Sequence, residues 1–142
     1  MSRGGGAGSP GKLHVFRVRP KEELLTEVGR YCRHNAITSG VVVGIIGSLE
    51  RATLNFLKEL PGNYISQEFG GPLEIVAAQG SVALKGDELI VHIHLQLSDE
   101  KTSRGGHLVS GTVFSTAEVA IWELDYQLER QLDEYTGLNE LV

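Results

Sequence analysis

"PLEIVAAQGSVALKGDELIVHIHLQL", residues 72–97, decides how the chain folds. Two apolar-rich runs, 72–84 and 88–97, flank Lys85-Gly86-Asp87. A connection that short, with glycine inside it, predicts a tight hairpin between antiparallel strands. Strand periodicity then sorts the second run onto two faces. Val91, Ile93 and Leu95 point one way, and His92 and His94 point the other.

The same texture extends on both sides. "GVVVGIIG" at 40–47 is β-branched and apolar throughout, which predicts a strand covered on both faces. Its glycines, Gly40, Gly44 and Gly47, suggest bends or close backbone approach. "LERATLNFLKEL" at 49–60 alternates at Ala52, Leu54 and Phe56, and Pro61-Gly62-Asn63 marks a turn after it. "GGHLVSGTVF" and "TAEVAIWEL" continue the sheet, and "LHVFRVR" at 13–19 is a first strand. The final "DYQLERQLDEYTGLNEL" fits a terminal strand or a short helix equally well.

One segment breaks the pattern. "PKEELLTEVGRYCRHN", residues 20–35, places Leu24, Leu25, Val28, Tyr31 and Cys32 on one helical face, with Arg30, Arg33 and His34 outward. Pro20 suits the first turn, Glu22 and Glu23 favour the helix dipole, and Asn35 is a stop. Cys32 on the apolar face reads as a small buried hydrophobe rather than a reactive thiol. One helix against many strands predicts an α+β fold: a single domain with a largely antiparallel sheet packed with one main helix. Residues 1–12, rich in Gly and Ser, read as a flexible tail, and 13–142 as the domain.

The bulk numbers exclude several classes. A chain of 142 residues suits one domain. No apolar run reaches the length of a bilayer span, so no membrane association is expected. "MSRGGGAGSPGK" has no apolar core of a secretory signal, and a single cysteine forms no internal disulfide. A cytoplasmic protein is the expectation. Neither a GxGxxG nor a Walker A loop is present, which counts against nucleotide binding. Thirteen Lys and Arg against 18 Asp and Glu give a net charge of −5, with no linear basic cluster to displace phosphate counterions. Direct DNA binding is therefore disfavoured.

Three of the five histidines lie in residues 91–108. His92 and His94 share a strand face, about 7 Å apart at roughly 3.3 Å rise per residue. His107 follows a polar loop and sits behind Gly105-Gly106, which would let the backbone return sharply beside the first strand. Three imidazoles with no fourth protein ligand would leave an open position on a zinc ion, although Fe, Ni or Cu also suit imidazole. Glu118 and Glu74 are candidates for a supporting carboxylate or a general base. The alternative is that these histidines merely hydrogen-bond on a polar sheet face. His14 and His34 lack partners at ligand spacing and read as solvated.

"GGPLEIVAAQGSVAL", "VHIHLQLSDEKTSRGGHLVSGTVFSTAEVAI" and "ERQLDEYTGLNEL" together resemble the plant and prokaryote conserved (PPC) domain, once called domain of unknown function 296. The resemblance runs in order from about Leu13 to the C-terminus. It implies a stand-alone prokaryotic type, a homotrimer, and a metal site on His92, His94 and His107. It also implies a description as a predicted DNA-binding protein. Plant members carry a Gly-Arg-Phe-Glu-Ile partner-binding segment; here Gly71-Pro72-Leu73-Glu74-Ile75 replaces Arg and Phe by Pro and Leu. The Arg-Gly-Arg-Pro core of an AT-hook is absent as well. Three functional readings follow: a metal-binding module of unassigned role, a DNA-binding or transcription-associated module, and a zinc-dependent hydrolase or lyase.

Overall fold

A computed structural model describes residues 4–142. Its elements are β1 (Pro10–Val18), α1 (Leu24–His34), β2 (Gly40–Glu59), β3 (Asn63–Lys85), β4 (Glu88–Ser98), β5 (Ser103–Leu124), β6 (Arg130–Asp133) and β7 (Leu138–Leu141). The expected α+β class and antiparallel sheet are what the chain forms. The five main strands run in the order β1-β5-β2-β3-β4, all antiparallel, and β5 pairs with β4 as well. Strands β2, β3, β4 and β5 thereby close a ring.

Long strands make that closure workable. The 23 residues of β3 join the run at 72–84 to the stretch after the Pro61-Gly62 turn, and "GGHLVSGTVF" and "TAEVAIWEL" form one strand of 22. Strands this long must bend to stay in register around a ring. Register shifts between Val42 and Gly44, Gly47 and Leu49, and Leu49 and Arg51 supply the bends on β2. The Lys85–Glu88 hairpin forms as expected, with Gly86 at φ 58° supplying the turn.

The helix starts later than Pro20 implied. Lys21 takes a positive φ of 72°, the backbone turns, and Glu23 becomes the N-cap. Its carboxylate accepts from the backbone N–H of Leu25 (3.2 Å) and Thr26 (2.7 Å). It also accepts from the N–H of Gly111 on β5 at 2.9 Å, tying the helix start to the sheet. Asn35 ends the helix as expected, donating to the Tyr31 carbonyl. Leu24, Val28 and Cys32 join one buried cluster with Val113, Val119 and Ile121. Burial pushes the Cys32 thiol up to about 11, against a smaller opposing pull from Arg33. The thiol stays protonated and inert.

Three further expectations need correction. "GVVVGIIG" is covered on one face only: Val42 and Ile45 are buried, whereas Val41, Val43 and Ile46 are exposed. One helix packs against the sheet, and among the described residues nothing covers Val41, Val43 and Ile46 on the opposite face. The terminal stretch is neither a single strand nor a helix. It forms the β6–β7 hairpin, because Asp133 accepts from the N–H of Thr136 and Gly137 takes φ 69°. The first strand begins at Pro10, which pairs with Leu124 of β5, so residues 10–12 of the expected tail belong to β1, and the Ser9 N–H donates to Asp125. Residues 1–3 lie outside the described residues.

Candidate metal centre

His92 and His94 stand on β4, and His107 on β5 directly opposite His94. The return between them differs from the expected one. Gly105 and Gly106 lie within β5, paired with Gln96 and Leu95. The turn is residues 99–102, closed by Asp99, which accepts from the N–H of Lys101 and Thr102 at 2.8 and 2.7 Å. These bonds hold the Asp99 carboxyl below its usual range. The glycines matter by being small: a Cβ on Gly106 would press 3.1 Å from the Phe56 ring.

The three imidazoles meet. Their ring centroids are 4.9 to 5.4 Å apart, and one nitrogen from each falls within 4.8 Å of the others. His92 and His107 are half-buried and His94 is exposed. Burial pushes His92 down to about 4, helped by His107, Arg130 and His94. Burial and His94 likewise lower His107. Rings that resist protonation keep their lone pairs available, the form a metal needs.

The cluster opens into a cavity of about 590 Å³ lined also by Asn55, Tyr64, Arg130 and Glu140. Arg130, on β6, is 7% exposed. It donates to the Asn139 carbonyl (2.8 Å) and Ser81 Oγ (2.9 Å), and its Nη2 lies 3.3 Å from His92 Nδ1. Guanidinium can only donate, so His92 Nδ1 accepts and its ring proton sits on Nε2. Arg130 Nε is buried without a partner among the described residues. Desolvation lowers Arg130 and Glu140 counters it. Nothing in the linear sequence singled out Arg130, because it enters the site only through the terminal hairpin.

Glu118 and Glu74 are not part of this site. Glu118 is exposed, paired on β5 with Arg17 and Ile46; Glu74 is exposed on β3 opposite Ser48 and Ser98. Neither lines the cavity, whose acidic residue is Glu140. His14 is not a solvated residue. Its Nε2 lies 2.7 Å from Glu123 Oε1 and its Nδ1 3.1 Å from the Tyr31 hydroxyl. His34 is exposed, as expected.

A family model of the Plants and Prokaryotes Conserved (PCC) domain matches residues 5–125. The chain belongs to this family. The metal-containing protein from Archaeoglobus fulgidus shares the PCC fold at TM-score 0.90 and 27% identity, over 100% of this chain and 99% of that one. A PPC protein from Pyrococcus horikoshii matches at TM-score 0.89 and 33% identity, over 97% and 96%. A Bacteroides thetaiotaomicron protein whose name suggests DNA binding is 20% identical over 95% and 96%, at TM-score 0.86, and shares the fold alone. The bifunctional protein GlmU of Synechococcus sp. (strain JA-3-3Ab) is 35% identical over 92% of this PCC chain. The chain spans only 21% of that protein's length. No helix among the described residues is long and apolar enough to cross a membrane.

Proposed function

We propose that this PCC domain is a metal-binding module in which His92, His94 and His107 hold one divalent transition-metal ion, zinc first. The observation that carries this reading is the meeting of three imidazole nitrogens within 4.8 Å at the wall of a cavity. The donor set fits: neutral imidazoles suit borderline cations, and three of them leave a position open to a ligand. The metal-containing relative from Archaeoglobus fulgidus supports the reading. A bound ion would supply a Lewis-acidic centre. The chain's own residues would position it: the β4–β5 register sets His94 against His107.

Elemental analysis of tag-free, zinc-supplemented protein tests the site. About one zinc per chain is expected for wild type, and a small fraction of that for His92→Ala and His94→Ala with unchanged circular dichroism. Equally low metal in all three would end the assignment.

The assembly we propose is a homotrimer. The uncovered sheet face supports it: Leu13 and Val41 both pair with Trp122, and all three are exposed beside Val15 and Ile46. Apolar rows of this kind are ordinarily buried between subunits. Light scattering at micromolar concentration should return three times the chain mass. A monomer mass would refute it.

A further inference from the structure

We propose that the cavity beside the histidines binds a small organic carboxylate, whose charged oxygens face both the metal position and Arg130. This rests on the metal reading above and names what fills the open position. The first observation is the hydrogen bond between Arg130 Nη2 and His92 Nδ1. A ring that ligates through Nδ1 withdraws the acceptor from Arg130. A ring that ligates through Nε2 must move its proton to Nδ1, where it faces the arginine N–H. Both routes break the bond. Loading the site therefore strips Arg130, which is almost wholly buried, of one of its acceptors. Its Nε is already without one.

Charge adds to the need. Three neutral imidazoles leave an ion its full double charge. Arg130 adds one more, and Glu140 in the lining returns one negative charge. The loaded cavity thus holds two uncompensated positive charges in a partly desolvated space, where they repel strongly. An oxyanion removes that repulsion and replaces the lost acceptor. Guanidinium recognises planar oxyanions in particular.

The remaining walls select among oxyanions. Leu57, Tyr64, Ile90 and Leu138 add apolar surface to the cavity lining, the Tyr64 ring centroid lying 6.3 Å from that of His107, and Leu57 and Tyr64 are more than a third exposed in the single chain. A volume of about 590 Å³ accommodates a small molecule rather than a bare inorganic ion. An organic carboxylate with an apolar body matches both the charged and the apolar lining residues. Inorganic phosphate matches the charged ones alone.

Calorimetric titration of zinc-loaded, full-length protein with benzoate tests this, with zinc content measured on the same sample. Benzoate should bind saturably. Its neutral analogue benzamide should bind at least about tenfold more weakly, as should benzoate to metal-free protein. Arg130→Met should weaken benzoate about tenfold or more, and Arg130→Lys, which keeps the charge but loses the planar fork, should fall between. Inorganic phosphate should bind more weakly than benzoate. Zinc present at one per chain with no saturable benzoate binding overturns the carboxylate site and leaves the metal site standing. The carboxylate site also falls if benzoate affinity is indifferent to both Arg130 variants, or if phosphate binds where benzoate does not. Zinc absent from every preparation overturns both.

Discussion

Replacing Glu23 by alanine should loosen the helix and the sheet together. One carboxylate accepts from the N–H of Leu25 and Thr26, from the Thr26 hydroxyl at 2.7 Å, and from the N–H of Gly111 across on β5. Loss of an N-cap costs about 1 kcal/mol. The Gly111 N–H, beneath the helix start on a buried residue, would be left without its acceptor for about 1–3 kcal/mol more. Removing negative charge from a helix N-terminus adds roughly 0.3–1 kcal/mol. The terms add to roughly 2–5 kcal/mol, which for a domain of this size lowers Tm by roughly 8–17 °C. Thermal melts by circular dichroism read the total. Amide hydrogen exchange reads its location: Gly111 should exchange faster in the variant, with amides of the β6–β7 hairpin unchanged. A Tm within about 2 °C of wild type, with Gly111 protection intact, would show that neighbouring groups or water replace the carboxylate and that the coupling is not as described.

Gly80→Ala should destabilise the domain by roughly 1–3 kcal/mol, because an added Cβ overlaps the His92 carbonyl and lies 3.1 Å from Ile93 Cα. Its zinc content should fall with it, since Gly80 sits between the strand partners of His92 and His94; full stability and full metal loading in one preparation would contradict the close approach. Native Cys32 should resist alkylation at pH 8 and react only on unfolding, as mass spectrometry of labelled protein would read. With its thiol raised to about 11 and an unfolded value of about 8.5, the unfolded chain alone loses this proton between those limits. Stability should therefore decline as pH rises across that window, by up to about 3 kcal/mol, and a flat denaturant midpoint there would contradict it. The isolated chain should show no sub-micromolar DNA affinity at physiological salt, given its net charge of −5; tight, steeply salt-dependent retention in a filter-binding assay would show otherwise.

Periodicity and turn chemistry carried much of the fold in one dimension. Alternation at 88–97 put His92 and His94 on one face, Lys85-Gly86-Asp87 marked a hairpin that forms, and the apolar stripe of residues 24–32 made the one helix. Each depends on near neighbours along the chain, so each is legible without a partner. The role of Glu23 was only half legible. Its charge suited a helix start, but Gly111 lies 88 positions away and leaves no local mark.

What the tertiary structure decided is long-range. Closure of β5 onto both β2 and β4 brings His107 to His94, a coincidence of register that no spacing rule specifies. The terminal hairpin carries Arg130 back 38 positions to His92, while Glu118 and Glu74 end exposed outside that cavity. Residue type told which side chains could bind a metal, because ligand chemistry belongs to the side chain itself. Which of them share a cavity depends on strand pairing across the ring, and that is set by burying one common core rather than by any local segment.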